Sequence, residues 1–201
     1  MLARARDRTM KVAAVAVLVV VAALAANAQR IKARPAAMCG RELWDLKTLS
    51  DPRRNLVYLR PIPTTVAAIA AKRPPRRTPT RRARGFERHI WRVNAQITEY
   101  RLEDDSDIHM ILFGDDAYMI AEMPSPSCLP RRTRLRRSII DARTLFEQQC
   151  GAATDEWRSL GAVAQIDGVG FWDFPHGQDG HAENDAGLHP VTQIKIVAGC
   201  A

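Results

Sequence analysis

The densest group of side chains able to do chemistry lies near the C-terminus, within residues 173–189. Acidic, amide and imidazole side chains concentrate there, among them Asp173, His176, Gln178, Asp179, His181, Glu183, Asp185 and His189. Neutral imidazoles and carboxylates are the ligands that zinc, manganese and similar ions select. We therefore take Asp173, His176 and His189 as candidate ligands of a divalent metal, although their spacing matches no named metal motif.

The same segment offers one pair for proton transfer. Asp173 lies close to His176 in sequence, and a carboxylate can fix the tautomer of a nearby imidazole. These two residues are the catalytic candidates. The alternative is a loop with no chemistry, held by its own hydrogen bonds, in which His176 and His189 bond backbone carbonyls.

A second acidic group lies in residues 103–107. Glu103, Asp104, Asp105 and Asp107 supply hard oxygen ligands that calcium prefers, but the segment lacks the glycine and spacing of an EF-hand. A solvated turn is the favoured interpretation. Nucleophile-elbow serines, phosphate-binding glycine loops and dinucleotide fingerprints are absent from the sequence.

Basic residues are clustered in a chain of formal net charge +8. Residues 72–84 hold one cluster, and the other consists of Arg131, Arg132, Arg134, Arg136 and Arg137. Such clusters attract polyanions, so nucleic acid and acidic glycans are candidate partners of the five arginines. Neither cluster contains aromatic residues for stacking bases, which favours a solvated linker and a solvated loop instead.

The N-terminus has the pattern of a secretory signal peptide. Arg4, Arg6, Arg8 and Lys11 precede an apolar run over residues 12–25, and Ala26 and Ala28 provide the small residues of a cleavage site. The run is shorter than the roughly 20 apolar residues of a membrane-spanning helix. We expect a mature chain from about residue 29, without an integral membrane anchor, in a bacterial periplasm or outside the cell.

All four cysteines lie in the exported part, where disulfides persist. Spacing leaves three pairings open. We favour Cys39 with Cys128, which ties the N-terminal extension to a strand end, and Cys150 with Cys200, which ties the C-terminus to a helix end. A zinc site formed by the cysteines is disfavoured because no Cys-x-x-Cys pair is present.

The regular elements needed to position these residues begin near residue 88. Alternating apolar residues predict a strand from Trp91, and turns at 103–107 and 114–116 separate two further strands. Ser138 is expected to cap a helix that ends by Gly151, and strands over 163–174 and 191–197 follow. Residues 29–87 are expected to form an irregular extension and a proline- and arginine-rich surface linker, with at most a short helix capped by Thr65.

This order, β-β-β-α-β-β, predicts a mainly β domain over residues 88–201. A five-stranded meander with a helix after the third strand is the layout of the OB-fold, a partly open barrel. The glycines at 168 and 170 fit a strand that coils around a barrel. A small α+β sandwich is the alternative, because strand number does not prove closure.

Several stretches of the chain resemble a family of uncharacterised secreted bacterial proteins. The likeness rests on CGRELWDLKTLSD at 39–51, YRLEDDSDIH at 100–109, AEMPSPSC at 121–128, GVGFWDFPHGQ at 168–178 and LHPV at 188–191. The family pattern has an acid directly before Leu-His-Pro, where this chain has Gly187. The resemblance implies a secreted protein and brings no activity.

Residues 96–123 are also similar in plan to thermonuclease-type OB domains. Acids occupy the first turn, and Glu122-Met-Pro follows the third strand. That likeness implies an OB-fold.

Two functions follow as hypotheses. The first is a secreted OB-like binding module for a polyanion or a sugar polymer. The second is a metal-dependent hydrolase, of a phosphodiesterase or nuclease type, in which the segment from His176 to His189 holds the ion and the five arginines hold substrate phosphates.

Overall fold

The computed structural model describes residues 38–40, 42–175 and 177–200. The predicted signal peptide and His176 lie outside these residues. The helices are α1 (Trp44–Lys47), α2 (Val66–Ala70) and α3 (Arg136–Cys150). The strands are β1 (Tyr58–Pro63), β2 (His89–Leu102), β3 (Ile108–Gly114), β4 (Ala117–Met123), β5 (Arg158–Trp172) and β6 (Ala186–Ala198).

The six strands form one sheet in the order β1-β2-β3-β4-β6-β5. Because β2 also pairs with β5, the five strands β2, β3, β4, β6 and β5 are hydrogen-bonded in a ring. Within the ring β4 and β6 are parallel, and the other neighbours are antiparallel. The predicted mainly β class is confirmed. The predicted helix is also present, and it lies between β4 and β5 in the chain.

Strand alternation separates an inner and an outer face of the ring. On β3, Ile108, Met110 and Leu112 enter the main hydrophobic core, so His109 and Ile111 face the other way. On β4, Met119 and Ala121 are in the same core, which directs Glu122 outward. The outer face of β3 and β4 therefore carries His109 and Glu122.

The helix α3 closes one side of the inner core. Ile139, Ala142 and Phe146 are buried, as their helical spacing predicts. The helix begins at Arg136, with Leu135 in a left-handed conformation at the N-cap, so Ser138 lies inside the helix rather than capping it. Gly151 ends it with φ 92°, a conformation that glycine adopts easily.

The N-terminal extension packs against the ring of strands, whereas the sequence predicts an irregular extension with a linker. Val66 and Ile69 of the extension enter the main hydrophobic core. Leu49 and Val57 form a second apolar cluster with Ile90 and Val169. The expected helix α2 is present, and the Thr65 hydroxyl accepts a hydrogen bond from the backbone N–H of Ala68. Beyond these, β1 forms a parallel pair with β2 that the proline content does not predict.

The basic stretch at 72–84 includes a fully buried side chain, Arg82. Its guanidinium donates to Asp51 Oδ2 at 2.9 Å and to the carbonyls of Leu46 and Glu87. The described residues before and after position 88 consequently belong to one compact unit. The boundary that the sequence predicts near residue 88 therefore marks a change of composition and does not separate two packed units.

Two disulfides are present, Cys39–Cys128 and Cys150–Cys200, as the favoured pairing predicts. Disulfides are typical of oxidising, extracytoplasmic compartments. Within the described part of the chain, no helix is long and apolar enough to cross a membrane.

Candidate functional site

A row of ionisable side chains crosses four strands on the outer face of the ring. Strand register pairs Arg101 of β2 with His109 of β3, and His109 with Glu122 of β4. The parallel β4–β6 pairing, which aligns Ala121 with Leu188, brings His189 beside Glu122. Directly paired residues project from the same face of a sheet, so these side chains meet because of the register.

Glu122 is at the centre of this group and is 1% exposed. Its Oε2 lies 3.2 Å from Nδ1 of His189 and 3.4 Å from Nζ of Lys47, while Oε1 lies 3.6 Å from Nδ1 of His109. A buried carboxylate among cationic groups is uncommon outside functional sites and structural ion-pair networks. The group of Glu103, His109, Glu122, His189, Lys47 and Asp173 is called the outer-face cluster below.

Lys47 reaches the cluster from α1 in the N-terminal extension. Burial lowers the pKa of Lys47, but the carboxylates of Glu122, Asp173, Asp105 and Asp107 more than offset burial and raise it above its ordinary value. Nζ lies 3.8 Å from Oδ2 of Asp173, which follows β5. Lys47 therefore stays charged and links the N-terminal extension to the last loop.

Burial also acts on Glu122, whose pKa it raises. The neighbouring His189, Lys47 and His109 outweigh burial, so the pKa of Glu122 lies well below its ordinary value. Burial lowers the pKa of His189 and outweighs the attraction of Glu122. Because His189 is then uncharged at neutral pH, Lys47 and His109 are the cations that hold Glu122 ionised there.

His109 is 1% exposed and lies between two carboxylates. Burial lowers the pKa of His109, but Glu103 and Glu122 outweigh burial and raise it to about 9. Nδ1 lies 3.2 Å from Oε1 of Glu103. Neither this contact nor the one to Glu122 has hydrogen-bond geometry, and neither ring nitrogen has a hydrogen-bond partner among the described residues.

The predicted metal ligands are only partly brought together. Asp173 and His189 line one pocket with Gln178 and His181, whereas His176 lies outside the described residues. The backbone N–H of Phe174 donates to Oδ1 of Asp173 at 2.8 Å. Among the described residues, the ligand atoms found within 4.8 Å of one another belong instead to Glu103, His109 and Glu122.

The acids of the first turn differ in their hydrogen-bond partners. Glu103 joins the cluster, where Arg101 and Gln178 donate to its Oε1. Asp105 accepts from the backbone N–H of Asp107, and the buried Asp107 accepts from that of Ser125. Asp104 is exposed. Asp105 and Asp107 also act electrostatically on Lys47 of the cluster, so three of the four acids are associated with it, and the turn is less solvated than the sequence suggests.

The arginine cluster makes many contacts within the chain. Arg132 donates to the carbonyl of Ser50, Arg134 to the carbonyls of Arg54 and Val57, and Arg136 to that of Pro126. Arg137 pairs with Asp141 on α3. These contacts give Arg132 and Arg134 a structural role, since they tie the N-terminal extension to the segment before α3.

An open groove of about 460 Å³ lies further along the outer face. Its walls come from β2, β3, β4, β5 and the loop between β5 and β6, through Thr98, Glu99, Ile111, Tyr118, Ser159, Asp179 and Gly180. The Tyr118 ring is 48% exposed and lies 4.8 Å from that of Phe113. An exposed aromatic side chain therefore borders two carboxylates and two hydroxyls.

Sequence reasoning missed His109, Glu122 and Lys47 as site residues. The available signal was a single ionisable residue inside an otherwise apolar strand, as His109 is in β3 and Glu122 in β4. Lys47 had no such signal, because its position depends on packing of the extension.

In comparisons with known proteins, no family model and no curated protein matches the chain.

Proposed function

We propose that the protein is a secreted binding module built on an OB-like five-stranded barrel. The ring order β2-β3-β4-β6-β5, its one parallel neighbour pair β4–β6 and the helix between β4 and β5 support the OB-like interpretation. The two disulfides and the N-terminal signal pattern support export.

The groove that includes Tyr118 is the observation that carries a binding function. OB-folds bind oligonucleotides and oligosaccharides on the face of their second and third strands, next to the loop between the fourth and fifth. The corresponding elements here are β3, β4 and the β5–β6 loop, which contribute Ile111, Tyr118 and Gly180 to the groove. Its location therefore favours a polymeric ligand.

The chemistry of the groove favours a neutral sugar polymer over a polyanion. Tyr118 offers an apolar ring face, while Glu99, Asp179 and Ser159 offer acceptors and a hydroxyl for sugar hydroxyl groups. The same carboxylates repel phosphate and sulfate groups. The polyanion alternative relies on the arginine cluster, whose members Arg132 and Arg134 already bond protein carbonyls.

Isothermal titration with neutral oligosaccharides and with heparin tests this function. We expect a neutral glycan to bind, and Tyr118→Ala to weaken binding at least about tenfold, which corresponds to about 1.4 kcal/mol. Tyr58→Ala is the matched control, because Tyr58 is an exposed tyrosine of β1 that does not line the groove. Binding of heparin alone, unchanged by Tyr118→Ala, would contradict the proposal.

A metal-dependent hydrolase is the second candidate, favoured by the contact between His189 and Glu122. The uncharged imidazole of His189, beside the carboxylate of Glu122, is suited to accept a proton. Asp173 and His189 line one pocket. Hydrolysis of bis(p-nitrophenyl) phosphate, assayed with zinc or manganese, tests this candidate. Equal rates for the native protein and His189→Gln would exclude it.

A further inference from the structure

The geometry of the outer-face cluster points to a divalent transition-metal site, and we propose that Glu103, His109 and Glu122 are its protein ligands. One imidazole nitrogen and two carboxylate oxygens all lie within 4.8 Å of one another. Zinc binds such atoms at about 2.0–2.2 Å, so modest side-chain movement brings all three to one ion. This site differs from the candidate set of Asp173, His176 and His189.

Unpartnered buried atoms give independent support for a ligand. His109 Nδ1, His109 Nε2 and Glu122 Oε1 are buried and make no hydrogen bond within the described structure. A buried polar atom without a partner is destabilising by roughly 1–3 kcal/mol. A metal ion at this point would coordinate one nitrogen of His109 and the free oxygen of Glu122, and so relieve that penalty.

Neighbouring groups donate hydrogen bonds to the two proposed carboxylate ligands but do not use all of their oxygen atoms. Lys47 donates to Oε2 of Glu122 at 3.4 Å, and Oε1 accepts no hydrogen bond from any described residue. Arg101 and Gln178 donate to Oε1 of Glu103 at 3.3 and 3.4 Å. Hydrogen bonds to ligating carboxylates are typical around metal ions, because they fix the orientation of the ligand.

The ligand set and its exposure indicate the class of ion. One imidazole with two carboxylates suits zinc, manganese or iron(II) better than calcium, which takes six to eight oxygen ligands. The side chain of Glu103 is 14% exposed, whereas His109 and Glu122 are 1% exposed. The ion would thus enter beside Glu103 and keep a coordination position for water or another ligand.

Zinc titration of the full exported chain, oxidised and stripped of metal with a chelator, tests the site. We expect one zinc ion per chain, and Glu103→Gln and His109→Gln to weaken binding by at least about tenfold. Asp104→Asn is the matched control, since Asp104 is an exposed acid of the same turn outside the cluster. Circular dichroism and disulfide mass analysis establish that each variant is folded.

Cobalt substitution supplies a second measurement. Visible absorption of the cobalt form should change in His109→Gln and stay unchanged in Asp104→Asn. Absence of stoichiometric binding, or equal affinity in the native protein and both ligand variants, would overturn the proposal. The inference does not rest on glycan binding. Because the glycan titrations can be run in the presence of a chelator, the two proposals can fail separately.

Discussion

Nδ1 of His189 lies 3.2 Å from Oε2 of Glu122, across the parallel pair formed by β6 and β4. The same oxygen accepts a hydrogen bond from Nζ of Lys47, a residue of α1. Sheet register and the packing of the extension are thus both needed to assemble the cluster. Because Glu122 and Lys47 are both largely buried, removing either one leaves the charge of the other without compensation.

Lys47→Met should reduce the free energy of unfolding by about 3–5 kcal/mol, because it removes the cation beside a buried carboxylate. Lys195→Met is the control, since Lys195 is exposed on β6 and its replacement should change stability by less than about 0.5 kcal/mol. Urea unfolding at neutral pH measures both values.

The double variant Lys47→Met/Glu122→Gln separates charge pairing from packing. If the two charges compensate each other, the double variant should lose less stability than the sum of the single variants. Additive losses, or equal stability of Lys47→Met and Lys195→Met, would show that the pair is not energetically coupled.

A second prediction concerns the arginine cluster. Arg134→Ala should lower the free energy of unfolding by about 2–3 kcal/mol, because its guanidinium donates to the carbonyls of Arg54 and Val57 at 2.7 and 2.9 Å. Arg131→Ala is the neighbouring control, an exposed arginine whose loss should matter by less than about 0.5 kcal/mol. Thermal and urea unfolding compare the two, and equal effects would contradict a structural role for Arg134.

Much of the fold can be predicted from the sequence because its signals are local. Alternation of Val93, Ala95 and Ile97 predicts β2, and the apolar face of Ile139, Ala142 and Phe146 predicts α3. The β-β-β-α-β-β order follows from such patterns. The ring itself depends on the β4–β6 and β2–β5 pairings, which no local pattern encodes.

The site is harder to predict because its residues are distant in sequence. Polar residues are densest at 173–189, and for this reason the sequence points to that segment. Two of its residues, Asp173 and His189, do belong to the outer-face cluster. Position inside an apolar strand was the better indicator, as His109 and Glu122 illustrate. Lys47 and Arg82 belong to segments rich in charge or proline, whose burial arises from long-range contacts.

The disulfides provide a third prediction. Mass analysis of the native protein should find no free thiols among the four cysteines, which are all paired in the structure. Replacing either pair with serine should destabilise the domain by about 2–5 kcal/mol. The Cys39–Cys128 bridge spans 89 residues and Cys150–Cys200 spans 50, so their chain-entropy contributions should differ by only about 0.5 kcal/mol. Two titratable thiols in the native protein would contradict the pairing.

The last prediction tests whether the basic stretch at 72–84 is a surface linker or part of the folded unit. Arg82 is 1% exposed and forms an ion pair with Asp51 at 2.8 Å. It also donates to the carbonyls of Leu46 and Glu87, which precede and follow the basic stretch in the sequence. Arg82→Met keeps most of the side-chain volume but leaves the buried Asp51 carboxylate without its cation.

The expected loss for Arg82→Met is about 3–5 kcal/mol in the free energy of unfolding. Arg82→Lys should be nearly as damaging, because one ammonium group cannot reproduce the planar array of donors. Arg81→Met is the matched control at an exposed neighbour, with an expected change below about 0.5 kcal/mol. Limited proteolysis gives a second measurement, since release of Arg82 should make residues 72–84 more susceptible to cleavage. Equal stability and equal proteolysis of the Arg82→Met and Arg81→Met proteins would restore the surface-linker interpretation.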